Sequence, residues 1–379
     1  MKAVTKGGLM LKVAIVGCGK IADSHANQII KIPECEIVGV CDKEELMAIQ
    51  LYERFPVKRY FTDVQVLLEE TQPHVVHITT PTQSHYYIAK QCLNYGCHVY
   101  VEKPFTLNLA EADKLIALAN QKNLKLTAGH NGQFTQVMRR MRELVEKGYL
   151  GGVPVHMESC WGYELGGHYA NALIADKQHW IRKLPGGLLQ NIISHGIAKI
   201  AEFLKTDTPK VIATGYTSPF LKSLGEHDII DELRVIISDE ERTTAYFTFS
   251  SQIRPSVHQF CIYGPKNGLL LDDDQQSLIK LRGTRFKSYA EKFISPIIFA
   301  KQYIGNTTRN VRLFVSRDFH EDSSKCYLFK CFYRSIIEDT DVPIPYREIL
   351  LTTRIMDVIF KQINVDHPSQ CQSIVSKFD

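Results

Sequence analysis

The chain has 379 residues, 44% of them hydrophobic and 23% charged, the balance of a folded protein large enough for two cores. A formal net charge of +4 is too small to suggest nucleic acid, and no DNA- or RNA-binding motif accompanies it. Nothing approaches the roughly 20 consecutive apolar residues that span a bilayer. The ten cysteines, Cys18 to Cys371, include no Cys-x-x-Cys pair, so a metal centre is not expected and reduced, mostly buried thiols in a cytoplasmic protein are.

Residues 1–10 read as a loose extension, with Met10 as an alternative start. Basic residues there precede an apolar run, but Gly17 and Gly19 follow too soon for a secretory signal. The first third alternates apolar strands (11–16, 36–41, 75–79, 98–101, 125–128) with helical patterns (21–30, 43–55, 84–95, 109–123). That rhythm predicts an α/β domain with a parallel, doubly wound sheet covered on both faces. After about residue 150 the pattern changes to strands at 211–217, 232–238, 243–250, 257–263 and 268–271, joined by short polar turns. In the third of these, Ala245, Phe247 and Phe249 alternate with Thr244, Tyr246 and Thr248. Such alternation fits an antiparallel sheet with one buried face, hence an α+β domain with a candidate oligomer surface.

The first strand runs into Gly17-Cys18-Gly19-Lys20-Ile21-Ala22, the pattern G-x-G-x-x-A. Gly17 permits the tight strand-to-helix turn, Gly19 lets a pyrophosphate approach the backbone, and Ala22 lets the helix lie close to the sheet. The free N–H groups and dipole of the following helix favour the phosphates. Asp42 ends the second strand 20 residues beyond Ala22, where an acid accepts hydrogen bonds from the adenosine ribose. These features predict a dinucleotide-binding Rossmann domain. The Asp42 carboxylate repels a 2′-phosphate, which favours NAD over NADP, although Lys43 partly offsets that repulsion.

The strand at 98–101 ends in Glu102-Lys103-Pro104, so Lys103 leaves the carboxyl end of a parallel strand, where ligands bind in such sheets. Farther on, Gly186-Gly187 opens a helix expected to run from about Leu188 through His195. Asn191 and His195, four residues apart, then share one face of it.

In this order, Gly17 through Ala22, Thr80-Pro81 with His85, Glu102-Lys103-Pro104, and Gly186-Gly187 through His195 resemble the motifs of the Gfo/Idh/MocA family of NAD(P)-dependent oxidoreductases. The similarity covers nearly the whole chain and thins beyond about residue 285. It implies an NAD(P)-binding Rossmann domain at 1–134 and an α+β substrate-binding and oligomerisation domain at 135–379 with a large, mostly antiparallel open sheet. It implies a homo-oligomer, dimer or tetramer, and a sugar, sugar nucleotide or cyclitol substrate. Hydride would pass between nicotinamide C4 and a hydroxyl or carbonyl carbon. The cofactor positions are Gly17, Cys18, Gly19, Lys20, Ile21, Ala22, Asp42, Thr80, Pro81, His85, Glu102 and Lys103. Lys103 would polarise the reacting oxygen and His195 exchange its proton, near-neutral imidazole suiting that task.

Many members carry aspartate where this chain has Asn191, a catalytic-site candidate that brings a hydrogen bond but no charge. His195 should therefore be a weaker base, with Lys103 taking a larger share. The resemblance also brings Trp180 toward the nicotinamide, with Arg182 or Lys183 available to a substrate phosphate or carboxylate; a buried aromatic with solvated charges is the plainer reading. Asn131 and His130 are further pocket candidates, as are Tyr163 and His168. Two other readings stand beside the dehydrogenase. One is a redox-neutral enzyme using bound NAD transiently for elimination or glycoside hydrolysis, and the other a non-catalytic dinucleotide sensor or scaffold.

Between Arg285 and Arg317 lie seven Lys or Arg residues and a single acid, Glu291, interleaved with aromatic and aliphatic residues. This stretch reads as a solvated face over the second sheet, as a surface helix in peripheral contact with anionic lipid, or as a patch receiving a phosphate-rich substrate.

Overall fold

The computed structural model describes residues 10–165, 173–239, 243–283, 288–316, 318–319 and 322–366. Residues 1–9 and His168 lie outside these. The described residues form two compact units, one up to His130 with Ser324–Thr353, the other Asn131–Ser323 with the chain from Arg354. The segment 324–353 thus joins the first unit, beyond the single boundary at 134 that the sequence suggests.

The first unit begins β1 (Leu11–Val16), α1 (Lys20–Ile29), β2 (Cys35–Cys41), α2 (Glu45–Arg54), β3 (Tyr60–Phe61), α3 (Val64–Thr71) and β4 (Val75–Ile78). It continues with α4 (His85–Tyr95), β5 (His98–Val101), α5 (Leu109–Gln121) and β6 (Leu126–Ala128). All strand pairs are parallel, in the order β3-β2-β1-β4-β5-β6. This is the doubly wound dinucleotide-binding order, with its switch point between β1 and β4. β1 is buried nearly throughout because helices cover both faces of a parallel sheet. Local chemistry sets the helix starts: Asp63 accepts from the Val66 amide at α3, and Asn108 from the Glu111 amide at α5. The short β3 and α3 carry too few residues for a clear periodic signal.

The second unit contains α6 (Gln136–Glu146), β7 (His156–Gly162), α7 (Gly187–Ile192), α8 (Ser194–Phe203), β8 (Lys210–Tyr216) and α9 (Pro219–Ser223). Then come β9 (Glu232–Ser238), β10 (Thr244–Ser250), β11 (His258–Tyr263), β12 (Asn267–Asp272), β13 (Ser277–Arg282) and α10 (Ser288–Val315). The seven strands form a mixed sheet, β13-β12-β11-β7-β10-β9-β8, antiparallel except for the β7–β10 pair. One face buries Met157, Val235, Phe247, Phe249 and Phe260. α8 lies on that face, close enough that a Cβ on Gly196 would stand 2.4 Å from Phe247 Cε2. The other face leaves Ile212, Ile236 and Tyr246 exposed, the open sheet that the period-two alternation predicts.

Two further elements complete the described residues, α11 (Ser323–Ile337) and α12 (Tyr346–Asp366). In the first unit, Phe329 and Tyr333 of α11 lie against His77 and Tyr100, and Tyr346 Oη accepts the Leu126 amide of β6 at 3.1 Å. In the second, Gln362 treats edge strand β8 as another strand would, donating to Val211 O at 2.8 Å and accepting from the Ala213 amide at 2.7 Å. The unpaired edge is thereby satisfied.

One local expectation is corrected. The helix at 188–195 is not continuous: α7 ends at Ile192, Ile193 is a turn, and α8 starts at Ser194. Each half is anchored separately by a glycine pressed on an aromatic ring, Gly186 on Phe360 and Gly196 on Phe247. Asn191 and His195 therefore lie on different helices.

Candidate functional site

In the first unit the candidates gather at the carboxyl ends of β1, β2, β4 and β5. Gly17 has φ +97°, and a Cβ there would stand 2.7 Å from the Thr80 amide nitrogen, so this position requires glycine on two counts. Thr79 Oγ1 donates to Gly17 O at 2.6 Å, and the Gly17 amide donates to Cys41 O at 2.8 Å, which fixes the loop against both neighbouring strands. Gly19 caps α1 in an extended conformation and makes no side-chain cap bond. A Cβ at Gly19 would meet nothing within 4 Å. The space ahead of the first amides of α1 therefore fits a pyrophosphate, held by N–H groups and the helix dipole. Asp42 accepts the Cys18 amide on Oδ2 at 2.7 Å and the Glu44 amide on Oδ1 at 3.0 Å. Each carboxylate oxygen keeps a second lone pair for a hydroxyl. These residues fit a nicotinamide dinucleotide.

His85 is buried and joins two loops, with Nε2 2.8 Å from Thr80 O and Nδ1 3.0 Å from Pro104 O. Burial holds its pKa below the ordinary histidine range, against the pull of these carbonyls. A neutral ring donates to one of these carbonyls and packs against the other, between Thr80 and the segment around Lys103. Thr80 also accepts a 2.7 Å hydrogen bond from Ser84 Oγ. Lys20 and Ile21 open α1 on its exposed side, and Pro81 leads out of Thr80.

Beside Lys103 lies a buried chain of polar groups, of which the sequence singled out only Glu102, there as a cofactor position. Glu102 Oε1 is 2.7 Å from His25 Nε2, His25 Nδ1 is 2.9 Å from His77 Nδ1, and His77 Nε2 is 2.8 Å from Tyr333 Oη. Two proton arrangements satisfy every contact to an ionised Glu102: Tyr333 donating to His77 and His77 to a neutral His25, or a protonated His25 donating to both Glu102 and His77, which then donates to Tyr333 Oη. The directions of the pKa values agree. Burial raises the Tyr333 phenol and lowers the His77 imidazole. Burial acts to raise the Glu102 carboxyl, but the His25 hydrogen bond and charge, with Lys325 and Lys103, bring it well below the usual carboxylate range. Glu102 Oε2 in turn accepts the Lys103 amide at 3.0 Å. Burial lowers the Lys103 ammonium below ordinary lysine values, with Glu102 opposing and Lys325 assisting. His130 is buried close by, and burial pushes it down to about 4. The signal available in sequence was His25, three residues after Ala22 on the buried face of α1.

In the second unit, His195 stands at the start of α8 with its ring against Trp161 of β7, centroids 6.0 Å apart and planes 19° off parallel. Asn131 belongs to the short turn that carries Gly132, where a Cβ would come within 3.3 Å of His195 Nδ1. Trp161 also meets His258 edge-on at 4.6 Å and has the Lys199 ammonium 5.5 Å from its ring. Lys199, one turn after His195, is buried and pairs with Asp273. Tyr163 follows β7 half-buried, and burial raises its phenol.

Trp180 stacks with His179 at 5.9 Å, and Lys183 is exposed. Arg182 is largely engaged within the protein: its guanidinium donates to Leu173 O at 2.9 Å, Ile174 O at 3.3 Å and Glu226 Oε2 at 3.0 Å. Arg182 is thus a tether for the neighbouring segment rather than a solvated charge.

Residues 11–130 match a family model described as an oxidoreductase family with an NAD-binding Rossmann fold. The chain is 32% identical over 146 residues to D-glucoside 3-dehydrogenase of Escherichia coli, which is 38% of this chain and 42% of that protein. It is 26% identical over 141 residues to myo-inositol 2-dehydrogenase of Thermotoga maritima, 37% of this chain and 42% of that protein. The matches thus span about two fifths of the length of these relatives. Among solved structures, the WlbA dehydrogenase of Bordetella pertussis in complex with NADH and UDP-GlcNAcA superposes with a TM-score of 0.75. That alignment covers 94% of this chain and 96% of the other at 14% identity, a likeness of fold.

Proposed function

This chain belongs to the Gfo/Idh/MocA family of oxidoreductases, and on that premise we propose that it is an NAD-dependent dehydrogenase or reductase of a sugar, sugar nucleotide or cyclitol. The observation that carries the reading is Lys103, a half-buried ammonium whose pKa is lowered by burial, at the carboxyl end of a Rossmann strand and anchored through Glu102 to a buried relay. The relatives support the substrate class, since one acts on a D-glucoside and another on myo-inositol by name.

The bound nicotinamide supplies the hydride acceptor or donor. The amides at the start of α1 hold the pyrophosphate, and Asp42 takes the ribose hydroxyls and disfavours a 2′-phosphate. Lys103 donates a hydrogen bond to the reacting oxygen and stabilises the charge that develops on it. Glu102, kept ionised by His25, fixes the Lys103 backbone. His195 exchanges the substrate proton, with Trp161 setting its ring plane. Asn191 brings no charge to assist it.

The test is NADH formation by the purified protein across a panel of glycosides, nucleotide sugars and inositols, alongside Lys103→Ala and His195→Ala. The expected result is turnover of at least one such substrate, lowered by roughly 10²- to 10⁴-fold in each variant, the range of general acid–base catalysis. Turnover that survives Lys103→Ala unchanged would remove the proposal.

A further inference from the structure

Helix α10 has its amphipathicity reversed. The side turned to the sheet is polar: Gln302 accepts the Lys280 amide at 2.8 Å and donates to Lys280 O at 3.2 Å, and Asn306 Nδ2 donates to Leu278 O at 3.1 Å. Asn310 Nδ2 reaches Gln275 O at 3.0 Å. These amides, four residues apart, cover edge strand β13 as a further strand would. The apolar side faces outward. Phe293, Ile297, Ile304, Val311 and Val315, spaced four, seven, seven and four residues apart, form one stripe and are 59–76% exposed. At 28 residues the helix is about 42 Å long. A helix held only for packing would turn this stripe inward, and an exposed apolar strip of such length marks an interaction surface.

Charge selects the occupant. Lys301 and Arg312 lie along one flank of the stripe, both exposed, and Lys292 lies 5.7 Å from the exposed Tyr289 ring; Arg309, away from the stripe, acts on Arg140 and Glu143 of α6. The helix's one acid, Glu291, is half-buried and accepts a hydrogen bond from Ser295 Oγ at 2.7 Å. A second copy docked antiparallel on the stripe would oppose basic flank to basic flank, and among the described residues of α10 no acid lies on that flank. An anionic bilayer surface satisfies both features, taking the aromatic and aliphatic side chains at the headgroup–acyl boundary and the cations among its phosphates. We propose that α10 is a peripheral membrane-docking helix, which holds the protein on anionic lipid with its apolar stripe in the interface.

The experiment is co-sedimentation of the full-length protein with vesicles of phosphatidylcholine alone and with added phosphatidylglycerol. Binding is expected to be roughly 10- to 100-fold tighter to the anionic vesicles, from about two basic residues near the surface, and to weaken as salt rises. Lys301→Glu with Arg312→Glu should remove the preference. Phe293→Ser with Ile297→Ser and Ile304→Ser should abolish binding while the thermal unfolding midpoint stays within a few degrees, since these side chains are exposed. Equal affinity for neutral and anionic vesicles overturns the proposal. So does a protein that ignores vesicles but dimerises in light scattering and becomes monomeric in the serine variant.

Discussion

Trp161 and His195 lie with rings nearly parallel, 6.0 Å between centroids, although one ends a strand and the other begins a helix. The indole cannot move freely, because the Lys199 ammonium and His258 hold it from other sides. Trp161→Ala should therefore loosen His195 without touching the dinucleotide loop. The expected outcome is turnover reduced by roughly 10- to 100-fold, the cost of a misplaced catalytic group, with NADH affinity unchanged and Trp161→Phe recovering most of the loss. Steady-state kinetics on the first substrate found decides it; equal kcat in the alanine variant and wild type would leave the ring contact without a role.

The relay from Tyr333 to Glu102 makes an ordered set of stability costs. His25→Leu leaves a buried carboxylate without its partner and should destabilise the protein by about 3–5 kcal/mol. Tyr333→Phe removes one neutral hydrogen bond at the far end and should cost about 1 kcal/mol. Urea unfolding of both variants checks the order. Similar costs for the two would mean that Glu102 is not held as a charge.

Cofactor choice rests on Asp42. Its two oxygens accept the Cys18 and Glu44 amides, and an amide side chain keeps an acceptor for one of them, turns an NH2 to the other and removes the charge. Asp42→Asn is expected to weaken NADH and strengthen NADPH, each by roughly 10-fold, about 1.4 kcal/mol. Fluorescence titration of the four dinucleotides measures this. A wild-type protein that binds NADPH more tightly than NADH contradicts it.

Acid should unfold the first unit early. Burial pushes His98 and His130 down to about 4, and His98 Nδ1 accepts the Lys125 amide at 2.9 Å, which a protonated ring cannot do. The unfolded chain takes up these protons near pH 6.5 and the folded chain only near 4. Their contribution is full above pH 6.5 and is lost as the pH falls through that window. Glu102, with its lowered pKa, adds a further loss below the ordinary carboxylate range. The urea midpoint should fall steadily between these limits, and His98→Asn, which retains an acceptor, should flatten the slope. A midpoint independent of pH across the window would contradict both assignments.

The parts legible in sequence are those fixed by local chemistry. Gly17 could be read because its turn admits no other residue, and Ala245, Phe247 and Phe249 because strand alternation sorts them onto one face. β7 was hidden since its inner face mixes Met157 with Ser159 and Trp161, which blurs the period of two. The break at Ile193 depends on Phe247 and Phe360, far along the chain. The Tyr333–His77 bond spans 256 positions, and no local pattern marks either residue. For the same reason the sequence did not indicate that 324–353 returns to the first unit.

The most direct test of the central claim is calorimetric titration of NADH into the wild-type protein and Gly19→Val. A Cβ at Gly19 meets no protein atom within 4 Å, and its backbone is already extended, so the variant should fold as the wild type does. It would fill the space assigned to the pyrophosphate. Saturable NADH binding by the wild type, lost in a Gly19→Val protein of unchanged stability, is the predicted result. A wild-type protein that binds no dinucleotide, or a variant that binds it equally well, would contradict the account.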